Sequence, residues 1–188
     1  MPLKTLAAAA GLLAVALPAA AADYRLDPAH TRVLFAVDQF GIFKMTGTFT
    51  ETSGRLSFDP AHIEASKLDV TVRTASVETH FAPGDTELKS PAWLDVAEFP
   101  EMKFVGTKFT KKDDRTGTIT GDLTLRGVTK PVSLEVTLSK LGARQKEQAD
   151  ATEFSARGSL KRSEFGLKAY LPYIADEVDL VIETEATR

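Results

Sequence analysis

From Asp23 onward, apolar and polar residues alternate one by one over long stretches. Val132, Leu134, Val136 and Leu138 are interleaved with Ser133, Glu135, Thr137 and Ser139. Leu68, Val70 and Val72 alternate with Asp69, Thr71 and Arg73, and Val178, Leu180 and Ile182 repeat the pattern near the end. Ile119, Leu123 and Leu125 share one parity while Thr118, Thr120, Asp122 and Thr124 hold the other. A period of two places successive side chains on opposite faces of a strand, one buried and one solvated. Antiparallel sheets accommodate that arrangement, whereas parallel sheets are covered on both faces. Ser53-Gly54, Lys112-Asp113-Asp114 and Arg126-Gly127 read as turns between the runs. The pattern predicts strands near 24–27, 31–39, 45–52, 55–59, 66–77, 102–110, 116–125, 131–141, 152–162 and 177–187. Many short strands at regular spacing mean a sandwich or a barrel, and closure into a barrel removes adhesive sheet edges. The expected class is all-β, an antiparallel barrel of about eight strands.

One stretch breaks the alternation. Between Gly84 and Phe99, the placing of Leu88 with Trp93 and of Thr86 with Lys89 suggests one or two helical turns, and Pro91 and Pro100 limit anything longer. A short helical crossover over one side or mouth of the barrel is expected there. After Asp23 there is no internal repeat, linker or shift in composition, so residues 23–188 read as one domain.

The first 22 residues belong to a different category. Lys4 is their only charge, the run Leu6–Leu17 contains only Ala, Leu, Val and Gly, Pro18 breaks it, and Ala20-Ala21-Ala22 supplies the small residues of a cleavage site. Residues 1–22 are expected to be a secretory signal peptide. The run is too short to span a bilayer, which takes about 20 apolar residues, so no stable membrane insertion is expected. The sequence has no cysteine, hence neither disulfides nor a thiol nucleophile. The leader and the missing cysteines suit a periplasmic protein. A net charge of -3 argues against a nucleic-acid partner, which requires a basic face.

Motifs for catalysis are absent. His30, His62 and His80 lie far apart and none has a second ligand at metal-binding spacing, so no metal and no further cofactor is expected. No nucleophile elbow, zinc-protease helix or phosphate loop occurs. Asp85, Glu87, Asp95 and Glu98 cluster at the crossover, where capping and solvation explain them. Arg126, Lys130, Arg157, Lys161 and Arg162 stand near predicted strand ends. The aromatic residues are more telling: eleven Phe and one Trp recur along the chain. A barrel of this size is either filled by such rings or holds one elongated ligand, with Gly47, Gly106, Gly121, Ala156 and Gly158 leaving room for it. The pattern alone does not choose between the two.

Particular segments carry a family resemblance. The mature chain opens on Tyr24-Arg25-Leu26-Asp27-Pro28-Ala29-His30, followed by Phe35-Ala36-Val37 before Gly41 and by Gly47-Thr48-Phe49 before Gly54. Gly121-Asp122-Leu123-Thr124-Leu125-Arg126-Gly127-Val128-Thr129-Lys130-Pro131-Val132 and Lys161-Arg162-Ser163-Glu164-Phe165-Gly166 complete the set. Over essentially the whole mature chain this strongly resembles the YceI-like family of periplasmic proteins. The resemblance implies a lipocalin-like barrel with a tunnel for a polyisoprenoid chain, an isoprenoid quinone or polyprenyl phosphate as ligand, and no established catalytic activity. Three positions depart from the family pattern: Gln39 replaces a common His, Gly84-Asp85-Thr86-Glu87-Leu88 keeps only the Asp and Leu of the crossover motif, and Trp93-Leu94 stands at the usual aromatic pair.

The expected function is therefore a binding or carrier protein for an isoprenoid lipid. Phe35, Val37, Phe49, Val70, Trp93, Phe104, Leu123, Leu125, Phe154 and Phe165 are expected to form the tunnel wall, with Asp85 and Arg162 at its mouth. The competing readings are a solid-core structural or partner-binding domain and an enzyme acting on an isoprenoid or quinone. A homodimer through a two-fold contact is left open.

Overall fold

The computed structural model describes residues 21–59, 61–141 and 151–188; most of the expected signal peptide lies outside them. The chain forms eleven strands: β1 (Ala22–Leu26), β2 (Arg32–Gln39), β3 (Phe43–Phe49), β4 (Thr52–Phe58), β5 (Lys67–Arg73), β6 (Val77–Glu78), β7 (Glu101–Lys111), β8 (Thr116–Leu125), β9 (Val128–Leu141), β10 (Ala151–Lys161) and β11 (Ile174–Thr187). The single α-helix, α1, spans Ala82–Lys89. All strand pairings are antiparallel.

Register reduces eleven segments to eight staves. β1 and β2 both pair with β11, at Leu26↔Ala186 and Val33↔Ile182, so they form one bent stave interrupted by residues 27–31. β4 pairs with β1 and β3 with β2, which makes β3 and β4 the second bent stave. β5 pairs with β4 and β6 with β3, giving the third. The remaining staves are β7, β8, β9, β10 and β11, each beside the next, and the β1–β11 pairing closes the ring. The result is an up-and-down barrel of eight staves, as the alternation predicts.

Local chemistry sets the bends. Asp27 Oδ1 accepts the Ala29 amide and the Asp27 carbonyl accepts that of His30, a turn that halts β1 before β2 begins. Opposite it, the Glu51 amide donates to Ser76 Oγ and the Thr50 amide to the Ser76 carbonyl, between β3 and β4. The break in this stave thus falls at Thr50-Glu51. Ser53-Gly54, expected as a turn, lies inside β4, where a Cβ on Gly54 would stand 2.7 Å from the Asp69 carbonyl oxygen. Arg126 and Gly127 do form the β8–β9 turn, both with positive φ (51° and 71°), the requirement of a tight two-residue hairpin.

Alternation becomes burial as expected. In β9 Val132 is buried while Ser133 and Glu135 are exposed, and in β2 Val37 is buried beside exposed Asp38. Pro131 lies within β9, paired to Asp122 of β8. A proline donates no backbone hydrogen bond, and it is tolerated because the β9–β10 ladder runs only between Arg157↔Glu135 and Thr152↔Leu141. At Pro131, β9 has a partner on one side only.

Glycines act differently from the sequence expectation. A Cβ on Gly47 would fall 2.4 Å from Cζ of Phe35, and one on Gly121 equally 2.4 Å from Cζ of Phe104. These glycines make room for phenyl rings laid flat along the wall, the cross-strand rescue of glycine by an aromatic side chain. Gly121 also faces the Val105 carbonyl oxygen at 2.6 Å from its missing Cβ, backbone that cannot swing aside. Gly121→Val is therefore expected to lower unfolding free energy by about 2–3 kcal/mol, read as a shift in the urea midpoint at unchanged slope. A variant as stable as wild type would contradict the close approach.

Candidate functional site

The barrel interior is not solid. It contains a cavity of about 680 Å³ whose wall is drawn from all eight staves. The wall is mostly apolar: Phe35, Val37, Phe49, Val70, Phe104, Leu123, Leu125 and Phe154 face it, with Trp93 from the crossover. The rings stay against the wall because glycines opposite accept them and because they pair with one another, Phe35 with Phe49 at 5.7 Å and Phe58 edge-on to Phe154 at 5.8 Å between centroids. Phe165 is different. It sits in the 3-10 turn Arg162–Phe165 after β10, 1% exposed, and packs in the hydrophobic core without lining the cavity.

The two ends of the cavity differ in character. At one end the lining continues onto the tip of the β7–β8 hairpin, where Lys111, Asp113, Asp114 and Arg115 are exposed. Asp113 orders this tip by accepting the Arg115 and Thr116 amides and the Thr116 hydroxyl, interactions led by the hydroxyl that hold its carboxyl below the usual aspartate value. The opposite end is covered by the crossover, whose Leu88, Trp93 and Leu94 are buried and line the cavity. The Arg126 guanidinium of the β8–β9 turn fastens this cover. It donates to the Pro91 and Trp93 carbonyls and stands 5.8 Å from the Phe99 ring centroid. Trp93 Nε1 donates to Glu87 Oε1 at 3.1 Å, which ties the ring to α1.

Arg162 lies beneath this cover and not at an open mouth. It is 3% exposed, lines the cavity, and stacks over Trp93 at 5.0 Å. Its Nε donates to the Ala175 carbonyl, Nη1 to Leu167 and Nη2 to Ile174, at 2.7–2.8 Å. Burial lowers its pKa, and the charge of Asp176 opposes that shift. Asp85 lies off the lining altogether. Its Oδ1 accepts the Thr79 hydroxyl at 2.6 Å and the Thr79 amide at 2.7 Å, so it anchors the first turn of α1 to the chain leaving β6.

The described lining includes no histidine or glutamate, and its aspartates stand at the exposed hairpin tip. The hydroxyl–carboxylate contact in this lining, Thr116 with Asp113, belongs to the exposed hairpin turn. A polar group that sequence reading missed is that of Thr52, a lining residue whose buried Oγ1 has no hydrogen-bond partner among the described residues. Outside the barrel interior, Asp27, His30 and Glu185 bring one donor atom each within 4.8 Å of one another. His30 Nδ1 and Asp27 Oδ2 already meet at 2.7 Å. This cluster is invisible to local spacing because β11 delivers Glu185 from the far end of the chain. Above the covered end, Phe40, Ile42, Phe43, Tyr170 and Tyr173 are all at least 60% exposed, and Tyr170 stacks on Trp93. No helix among the described residues is long and apolar enough to cross a membrane.

A closed antiparallel barrel around one apolar cavity, with a short helical cover, defines the class as a lipocalin-like barrel. The YceI-like domain model matches residues 24–186, and the chain belongs to this family. Protein YceI of Escherichia coli is 38% identical over 181 residues, covering 95% of this chain and 94% of that protein. BcnA of Burkholderia cenocepacia superposes with a TM-score of 0.78 at 24% identity, over 86% of this chain and 99% of that one. A polyisoprenoid-binding domain from Saccharophagus degradans shares the fold at a TM-score of 0.65 and 14% identity, over 87% of this chain and 97% of its own.

Asp85 supplies a pH test of the cover. The Thr79 hydroxyl lowers its carboxyl pKa, burial opposes this, and the Thr79 amide and the Lys89 charge add to the lowering. A depressed folded-state pKa contributes stability above the unfolded value and loses it as pH falls through the folded one. Asp85→Asn should lower the thermal midpoint at pH 6, and the gap from wild type should shrink below the ordinary 3.8. A gap undiminished at pH 2 would mean that charge plays no part.

Proposed function

We propose that this protein binds a long-chain isoprenoid lipid in its barrel and carries it in the periplasm after removal of residues 1–22, without catalysing a reaction. The observation that carries this reading is the apolar cavity of about 680 Å³, lined from Leu26 to Ile182 mostly by aliphatic and aromatic side chains. That volume falls within the roughly 300–1,000 Å³ of small-molecule sites. A wall with so few hydrogen-bonding groups suits a tail and offers little purchase on a polar metabolite. Burial is worth about 0.8 kcal/mol per methylene-sized unit, against an association cost of about 4–15 kcal/mol. A few isoprene units therefore suffice, and tail length should be loosely selected. Membership of the YceI-like family and the polyisoprenoid-binding domain that shares the fold support the isoprenoid class. An enzyme would need ionisable groups poised at the ligand head, and the carboxylates of the described lining are solvent-exposed.

Phe104 tests the reading directly, since its ring faces the cavity over Gly121. Phe104→Glu would put a carboxylate in the apolar channel, where an unpaired charge is heavily penalised. Native mass spectrometry of folded variant and wild type, both delipidated and re-exposed to geranylgeraniol, should show retention at least tenfold weaker in the variant. Equal retention would remove the cavity as the binding site. N-terminal sequencing of the exported protein should begin at Asp23, which leaves four of the five residues of β1 in place. An N-terminus still at Met1 in a cytoplasmic fraction would contradict the periplasmic assignment.

A further inference from the structure

Two neighbouring loops at the covered end expose an apolar surface that the barrel itself does not use. Among the described residues eight large apolar or aromatic side chains stand exposed, and five of them fall here: Phe40, Ile42, Phe43, Tyr170 and Tyr173. The first three form the β2–β3 tip, closed by the Ile42 amide donating to the Gln39 carbonyl, and the two tyrosines precede β11. The loops are joined: Gln39 pairs with Ile174, the Phe40 amide donates to the Tyr173 carbonyl at 2.7 Å, and the Phe40 and Tyr173 rings lie 6.0 Å apart. Neither 39–43 nor 169–175 contains a charged residue, in a chain whose charged fraction is 26%. Phe40 and Tyr170 are held at φ 55° and 58°, a left-handed backbone that bulky residues adopt at a cost. Rings that served only to weigh down the cover would be buried against it. These five side chains stay at least 60% exposed, and Ile42 reaches 77%.

We infer that this end of the barrel docks reversibly on a lipid bilayer with anionic head groups, its two loop tips entering the head-group layer. Contiguous exposed apolar surface marks an interaction site, and charge identifies the occupant. Lys44 directly follows one tip and Lys168 directly precedes the other, both exposed. Lys168 has no acid within 4.0 Å among the described residues, and Lys44 holds only exposed contacts to Asp38 and Asp179. Apolar tips with lysines at their bases match an interface whose acyl carbon lies beneath phosphate, the lysine stems running along the apolar layer to the phosphates. Tyr170 and Tyr173 suit the same depth, with the ring in the apolar layer and the hydroxyl among the head groups. A second copy of this chain would set the same lysines against one another, with no acid in either tip to receive them. The contact is peripheral, since no helix among the described residues is long and apolar enough to cross a membrane. Tyr170 stacks on Trp93, which lines the cavity, so the docked tips stand one ring away from the barrel interior. The inference goes beyond the carrier reading, which does not say where the protein meets a membrane, and it is tested apart from it.

Flotation of the protein with vesicles of phosphatidylethanolamine and phosphatidylglycerol in equal parts tests the docking surface. Wild-type protein should float with the vesicles. Three substitutions at exposed positions each lower the net charge by one and leave the barrel standing. Ile42→Glu should weaken partitioning about tenfold, because it replaces the most exposed apolar side chain of the tip with a charge that resists leaving water. Lys168→Gln should weaken it roughly fivefold, the worth of one lysine near an anionic surface. Val105→Glu, on β7 and 45% exposed, should float as wild type does. Wild-type protein that stays off the vesicles, or three variants that float equally, would overturn the inference. A mass of two chains in light scattering that falls to one in Ile42→Glu would also overturn it and make the patch a contact between copies. Retention of geranylgeraniol in native mass spectrometry reads the carrier function separately. Retention without flotation removes only the docking surface, and flotation without retention removes only the carrier reading.

Discussion

The hydrogen-bond ladder that runs round the closed ring allows this protein to enclose an apolar interior that its own side chains do not fill. In most small domains the backbone is satisfied and the core is filled by the same packing event. Here the staves satisfy one another's amides and carbonyls, with β1 against β11 completing the circle, so the wall can stand around a space that side chains do not fill. With no cysteine to brace it, the fold relies on this closure and on the cluster at its covered end, where Trp93, Leu94, Leu88, Phe165 and Leu167 are all buried together. One end of the barrel is the packed core and the remainder is a container.

That division explains how the site is built. Rings stay clear of the axis because glycine across the ladder lets them lie flat, as Phe35 does over Gly47 and Phe104 over Gly121. The cover stays down because Arg126 of one tight turn bonds the carbonyls of the crossover and Asp85 ties the helix to Thr79. Arg162 follows the end of β10, past the last β9–β10 pair at Arg157↔Glu135, at the seam between core and container. Arg126 and Asp85 thus have mechanical roles near the covered end, and Arg162, which bonds three backbone carbonyls, also faces the cavity.

Much of this was legible in the chain. Period-two alternation gave the strands and the closed architecture, because exposing one face and burying the other is a local property of each segment. The barrel wall was legible for the same reason: Val70, Leu123 and Leu125 lie on the inward parity of their strands. Residues off the strands were not. Phe165 and Arg162 share a 3-10 turn whose orientation depends on β9, β10 and β11 together, so one was expected on the wall and the other at a mouth. Asp85 was expected beside a ligand for want of knowing that Thr79 would satisfy it. The Ser53-Gly54 pair looked like a turn because its close approach to Asp69 is a tertiary fact. Glu185 beside Asp27 and His30 depends on ring closure, which no local spacing encodes.

Organic extraction of the protein purified from its native compartment, followed by mass spectrometry, tests most directly whether the container is used as one. The account predicts a stoichiometric isoprenoid lipid in the extract. A lipid-free protein that also ignores added isoprenoids would contradict it, and the barrel would then be an interaction domain with an unused interior.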